Sequence, residues 1–359
     1  MAGELICECR KRLASGFEVD ASLRIPLAAS PVTILFGPSG AGKTTLLRML
    51  AGLDRPQSGQ IAFRGKRWFD GAEGLELDPQ QRRAAFLFQD YALFPHMTVR
   101  ENVAYAAGRG RAEGLLVRFD LAELADRLPR AISGGQAQRV ALVRALAAGP
   151  ELLLLDEPLS ALDEATRVRT RRELRRILLE CRVPSVVVTH DRTEAIALGD
   201  WMAVMIDGRI RQVGPVEDVF RKPADAVVAG SVGVENVLLA EIVGREAGLV
   251  TLAVGERTLA AIDSGDAGPV HACIRAEDVG ITRESGAAAS TIRNRIPGVI
   301  RAVSVEGPLA RIEMDCSFPL VALVTAQSAA DLALAPGDAV AAVLKTTSVY
   351  VTAALQYAQ

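Results

Sequence analysis

The chain has 359 residues, enough for two or three domains and a large buried core. Half of them are hydrophobic, but no uninterrupted apolar stretch is long enough to span a bilayer. Met1 to Arg12 also lacks the apolar centre of a signal peptide, so the chain is expected on the cytoplasmic side. The formal net charge of −2 excludes a general nucleic-acid binder, which would carry a broad basic excess. In chain order, Cys7 and Cys9 alternate along a predicted strand. With Cys181, Cys273 and Cys316 they show no paired zinc spacing and are expected as reduced, structural thiols. Val32–Phe36 is a short β-rich run ending in a glycine-rich turn, and Thr44–Ala51 follows as a helix. From Asp90 to Arg130 the strand signal gives way to helical patterning. Leu152–Leu155 and Ser185–Thr189 are two further buried strands, each ending in polar residues. Arg167, Arg169, Arg171, Arg172, Arg175 and Arg176, with Glu164, Glu173 and Glu180 nearby, have the helical spacing of a solvated face.

After about Ala229 the texture changes to short alternating segments separated by Gly, Asp and Pro. Val250–Val254, Ala272–Ile274, Gly298–Val305, Leu309–Met314 and Ala339–Leu344 are examples, and they predict a small β-barrel or sandwich. Ser285–Ser290 reads as a link between two β units. Both units open with a polar turn and a Val-rich strand, but no certain internal repeat is visible.

Gly37-Pro38-Ser39-Gly40-Ala41-Gly42-Lys43-Thr44 is a complete P-loop between a strand and a helix. Its glycines let backbone N–H groups converge on phosphate oxygens, and the helix adds its positive end. ATP with Mg²⁺ is therefore the expected cofactor pair. Lys43 is placed for the β- and γ-phosphates, Thr44 for Mg²⁺ and Thr45 for the α-phosphate. Asp156, at the end of four leucines, is expected to reach Mg²⁺ through water, and Glu157 to polarise the attacking water.

Ile132-Ser133-Gly134-Gly135-Gln136, followed by Ala137-Gln138-Arg139, closely resembles the signature sequence of ATP-binding cassette (ABC) ATPases, with Ile132 where Leu is usual. The resemblance covers nearly all of residues 5 to 225. It implies that Gln89 contacts Mg²⁺ and the attacking water, and that His190 contacts the γ-phosphate. It also implies a head-to-tail homodimer in which Ser133, Gly134, Gly135, Gln136 and Asp163 of one chain complete the ATP site of the other. The adenine-stacking residue stays open between Phe17 and Leu13. His96 falls outside this constellation, and His271 is expected to be structural.

The implied fold class is an α/β P-loop ATPase domain (1–229) with a helical subdomain at about 90–150. A β-rich connecting segment (230–289) and a small all-β, OB-like barrel (290–357) follow. Phe88 to Asn102 resembles bacterial importer ATPases. That implies integral membrane permease subunits as partners, a place on the cytoplasmic face of the cell membrane, and a docking groove that uses Tyr91, Leu93 and Phe94. Thr291-Ile292-Arg293-Asn294, Ala335 to Asp338 and Lys345-Thr346-Thr347-Ser348 resemble the molybdate-binding TOBE-type domain. They imply an oxyanion site at Thr291, Arg293, Lys345, Thr346 and Thr347, where molybdate or tungstate would act as a regulatory ligand, and, indirectly, a periplasmic oxyanion-binding protein. Trp68 to Leu77 with Arg82-Arg83 resembles molybdate-importer ATPases. The function expected first is ATP-driven import of molybdate or tungstate. The alternatives are import of sulfate, ferric iron, polyamine or sugar, a soluble non-transport ABC ATPase, or an oxyanion store or sensor. A purely structural dimer contact is the other reading of the β tail.

Overall fold

The computed structural model describes residues 3–28, 31–283 and 291–354, the side chains of Ala107, Arg109 and Glu164 excepted. The expected link Ser285–Ser290 lies outside the described residues. The chain forms two compact units, Met1–Val219 and Phe220–Gln359.

The first unit runs β1 (Glu4–Arg12), β2 (Glu18–Pro26), β3 (Val32–Phe36), α1 (Lys43–Ala51), β4 (Ser58–Phe63), β5 (Lys66–Asp70) and β6 (Leu75–Glu76). Then come α2 (Pro79–Arg82), β7 (Ala84–Leu87), α3 (Val99–Ala107), α4 (Arg109–Arg118), α5 (Gly134–Ala147), β8 (Leu152–Asp156) and α6 (Glu164–Cys181). β9 (Ser185–Thr189), α7 (Arg192–Leu198), β10 (Trp201–Ile206), β11 (Arg209–Pro215) and α8 (Val216–Arg221) follow. Strands β10-β3-β9-β8-β7 pair in parallel, and β11 closes one edge antiparallel. Every residue of β3, β8 and β9 is buried, as their unbroken apolar sequences require when both sheet faces are covered. A second sheet, β2-β1-β4-β5-β6, shares a core with α1; Leu5, Cys7 and Cys9 enter it at alternate positions of β1. The helical insert α3–α5 separates β7 from β8. It starts at Thr98, whose capping box with Glu101 satisfies two helix-end donors.

The arginine face of α6 is less solvated than its spacing suggests. Arg171 is buried, and Arg175 donates to Leu198 O (2.6 Å) and Asp200 (2.5 Å). Arg139 of α5 pairs with Glu173. These arginines tie α6 to its neighbours, a role that charge spacing alone does not reveal.

The second unit contains α9 (Ala226–Ser231), β12 (Asn236–Glu246), β13 (Leu249–Val254), β14 (Arg257–Ile262), β15 (Pro269–Ile274) and β16 (Gly280–Thr282). It continues with β17 (Asn294–Glu306), β18 (Leu309–Asp315), β19 (Pro319–Thr325), α10 (Ala326–Asp331), β20 (Ala339–Leu344) and β21 (Tyr350–Ala353). Strands β12–β16 recur as β17–β21, each half with a bulge in its first strand and a 3-10 turn before its last (Ala276–Asp278, Thr346–Ser348). The halves exchange their final strands, giving sheets β14-β13-β12-β15-β21 and β16-β20-β17-β18-β19.

One hydrophobic cluster spans both halves, so a boundary at 289/290 does not separate a connecting segment from an independent barrel. Two buried asparagines lock the exchange reciprocally. Asn236 accepts from Val321 N (2.6 Å) and donates to Val321 O (2.9 Å) and Ile274 O (3.2 Å). Asn294 accepts from Ala260 N (2.7 Å) and donates to Ala260 O (3.0 Å). The two halves share little sequence beyond this asparagine and an alternating apolar pattern, which is why the repeat was not visible from residues alone.

Candidate nucleotide site

Parallel pairing in the order β3-β9-β8-β7 brings four carboxyl-terminal strand ends to one edge. β3 delivers residues 37–45, β9 delivers His190, β8 delivers Asp156 and Glu157, and β7 leads to Gln89. The P-loop follows a path that side chains would block. A Cβ on Gly37 would lie 2.0 Å from Met205 O, and Gly42, at φ 97°, caps α1 without a side chain. The first amides of this nine-residue helix are left for an anion. Pro38, Ser39, Gly40 and Thr44 are exposed around that seat, with Ala41 buried beneath and Thr45 half-buried.

Lys43 is only 5 % exposed and donates to Gly37 O (2.9 Å) and Pro38 O (2.7 Å). Burial lowers its pKa, opposed by Glu157 and Asp156. Thr44 Oγ1 donates to Asp156 Oδ1 (3.0 Å). The hydroxyl and carboxylate oxygens there form a hard-oxygen pair of the kind Mg²⁺ takes. Burial raises the Asp156 pKa, with the Thr44 hydrogen bond opposing. Glu157 adopts φ 42°; its amide donates to Val188 O (3.2 Å), and its carbonyl accepts from Ser160 Oγ (2.9 Å). His190 Nδ1 lies 3.1 Å from Glu157 Oε1. Glu157 and His190 line a cavity of about 110 Å³ with Ser160, Arg167, Thr189, Asp191 and Glu194.

Residues 21–160 match the ABC transporter family, and residues 290–351 match the TOBE domain. The chain is 40% identical over 275 residues to a spermidine/putrescine import ATP-binding protein of Ruegeria pomeroyi, covering 72% of this chain and 74% of that one. A molybdenum import ATP-binding protein of Brucella melitensis is 37% identical over 332 residues, 90% of this chain and 92% of that protein. The chain is the ATP-binding subunit of an ABC importer. The structure of cbiO1 from Clostridium perfringens, part of the ABC transporter complex cbiONQ, aligns with TM-score 0.53 and 26% identity. It covers 65% of this chain and 95% of that one.

The remaining positions expected in the importer's nucleotide site occupy the starts of α5 and α6. Ser133 caps α5 in a reciprocal box with Gln136. A Cβ on Gly134 would meet Leu162 at 3.0 Å, and one on Gly135 would meet Thr170 Oγ1 at 2.9 Å. Asp163 caps α6 by accepting from Thr166 N (3.0 Å). The caps stay within their own helices, and the two glycines let α5 approach Leu162 and Thr170 closely. Of the two adenine candidates, Phe17 sits beside the P-loop, its ring carbon 3.3 Å from a Cβ built on Gly42, while Leu13 closes the β1–β2 turn.

Gln89 is exposed beyond β7. Of the three residues expected in a docking groove, Tyr91 packs inside and Leu93 and Phe94 stay partly open. Tyr91 is buried, and its hydroxyl, whose pKa burial raises to about 12, donates to Pro158 O (3.2 Å). Leu93 and Phe94 are half-buried, and Phe94 stacks against exposed Tyr105 at 4.7 Å. His96 is exposed, its ring 6.2 Å from Phe94, and His271 is a half-buried residue of β15.

In the β unit, Asn294 pairs with Leu344, so Thr291 and Arg293 precede β17 at the sheet end where Lys345, Thr346 and Thr347 leave β20. Thr346 is buried and the other four are exposed. Among the described residues its Oγ1 has no hydrogen-bond partner. Sequence reasoning missed Arg144, Asn102 and Glu194 near the nucleotide site, since no motif marks them. It also missed Glu235 in the β unit, which only the repeat makes visible.

Proposed function

We propose that this subunit powers import of a tetrahedral oxyanion, molybdate or tungstate. It would act as a homodimer on the cytoplasmic face of integral membrane permease subunits, which a periplasmic binding protein supplies. The observation that carries the cargo reading is a difference between the two β halves. In the first half, Glu235 Oε2 accepts from Ala276 N (3.1 Å) at the start of the 3-10 turn, a carboxylate seated on that amide. In the second half Arg293 stands one residue before Asn294, as Glu235 stands before Asn236, and Thr346 occupies the place of Ala276. A built-in anion in one half is thus replaced in the other by an arginine and an orphaned buried hydroxyl, beside Lys345, which stands where Arg275 stands in the first half. That set is suited to an anion from outside. The molybdenum-import relative, matched over 90% of this chain, supports the same cargo; the polyamine-import relative has similar identity, so identity alone does not select one.

At the nucleotide, Lys43 leaves its two loop carbonyls for the β- and γ-phosphate oxygens, joined by the amides of residues 39–45. Thr44 and Asp156, with Gln89, would hold Mg²⁺, which neutralises phosphate charge when bound. Glu157 orients and polarises the attacking water, and His190 contacts the γ-phosphate from its position against Glu157. Ser133, Gly134, Gly135, Gln136 and Asp163 of a second chain cover the same ATP.

Calorimetric titration of the full chain with molybdate, tungstate, sulfate and spermidine tests the cargo reading. Molybdate and tungstate should bind, and Thr346→Val or Lys345→Ala should weaken them by ~10-fold or more. Sulfate or spermidine binding in their place, or molybdate binding untouched by both substitutions, would overturn it.

A further inference from the structure

The turn between Gln89 and α3 is held from three sides. Tyr91 and Ala92 both adopt left-handed conformations, φ 61° and 43°. Non-glycine residues hold such angles where their surroundings enforce them. Arg144, near the end of α5, supplies the clamp. One guanidinium nitrogen donates to Ala92 O (2.8 Å), the other to Tyr91 O (2.9 Å), and the plane lies 5.2 Å from the Phe94 ring centroid. Asn102, fully buried on α3, accepts from Phe94 N (2.9 Å), and the two hydrogens of its Nδ2 are shared among Phe94 O (3.2 Å), Met97 O (3.1 Å) and Thr98 O (3.1 Å). Tyr91 carries the chain of contacts onward through its hydroxyl to Pro158 O, one residue past Glu157.

We infer that Arg144 is a positioning residue. It ties α5, whose first turn carries Ser133, Gly134 and Gly135, to the turn that aims Gln89, and through Tyr91 to the backbone beside Glu157. An arginine is needed because its rigid fork satisfies two neighbouring carbonyls at once, whereas a lysine ammonium reaches one well. Movement of α5 when a second chain closes over ATP would then shift Gln89 and Glu157 together. The inference rests on Gln89 and Glu157 having the roles proposed above.

The test measures ATP affinity of the full chain with and without Mg²⁺, the Mg²⁺ concentration for half-maximal ATPase, kcat, KM and melting temperature. Arg144→Met, Arg144→Lys and Tyr91→Phe are compared with Gln89→Ala and Glu157→Gln. Arg144→Met should bind Mg²⁺-free ATP like wild type, since the P-loop is untouched. It should lose most of the Mg²⁺-dependent tightening, as Gln89→Ala does, and kcat should fall ~10-fold with little change in KM. Arg144→Lys should recover part of this. Tyr91→Phe, which removes one hydrogen bond and keeps the ring, should lower kcat severalfold. Normal Mg²⁺ tightening and kcat in folded Arg144→Met, with Gln89→Ala and Glu157→Gln impaired, would overturn the inference. Should Arg144→Met not fold, normal kcat and Mg²⁺ dependence in both Arg144→Lys and Tyr91→Phe would overturn it equally. Unimpaired Gln89→Ala and Glu157→Gln would instead overturn the catalytic reading beneath it.

Discussion

At Glu157 a left-handed backbone, an amide bonded to Val188 O and a carbonyl bonded to Ser160 leave the side chain beside His190. Glu157→Gln keeps the shape and removes the polarising charge. ATP binding should survive, because Lys43 and the loop amides are unchanged, while hydrolysis should fall ~100-fold or more. Single-turnover and binding assays separate the two effects, and retention of half the turnover would contradict the role. Glu194 gives a pH-dependent case. Burial raises its pKa, with the Thr189 hydroxyl (2.7 Å) opposing. The folded chain therefore holds this proton more tightly than the unfolded chain. The stabilisation is full below the unfolded value and is lost as pH rises through the folded one. Glu194→Gln keeps an acceptor for Thr189 and removes the titration. Its stability relative to wild type should increase from pH 4 to pH 8, as urea midpoints would show; a constant difference would contradict the assignment.

Among the elements, the β-strand halves depend on the two asparagines. Asn294→Ala should leave Ala260 N and O unsatisfied and cost about 2–6 kcal/mol, at ~1–3 kcal/mol for each stranded group. Amide exchange at Ala260 should quicken while Val321 stays protected. Asn236→Ala should reverse the pattern, and equal protection of both amides in both variants would show that the strand exchange needs neither clasp. Three helices of the first unit start on side-chain caps. Thr98 with Glu101, Ser133 with Gln136 and Asp163 before α6 all combine a capping oxygen with the following periodic run.

For the molecule as a whole, the proposed composite site makes a prediction that one chain alone cannot fulfil. Lys43→Ala disables the P-loop side, and Ser133→Arg disables the covering side. Mixed dimers of these two inactive proteins contain one site with both lesions and one with neither. ATPase activity should return on mixing, with each mixed dimer approaching half the wild-type turnover if the sites act independently. Continued inactivity of confirmed mixed dimers would argue against shared sites.

Most of the candidate nucleotide site was legible because its residues sit in contiguous motifs, 37–45, 133–136 and 156–157, while Gln89, Asp163 and His190 stand outside them and came only from the family resemblance. Local turn geometry there demands particular residue types. Strand and helix alternation likewise determined the parallel sheet and its helical insert, through periodicity that any buried sheet imposes. The clamp on Tyr91, the exchange of β16 and β21 and the Glu235–Ala276 contact were decided only by tertiary structure. Arg144 lies 52 residues from Ala92, and Asn236 lies 85 residues from Val321. At such separations a hydrogen bond imposes no periodicity on the sequence, and an arginine in a helix or an asparagine at a strand start looks like any other until the fold supplies its partner.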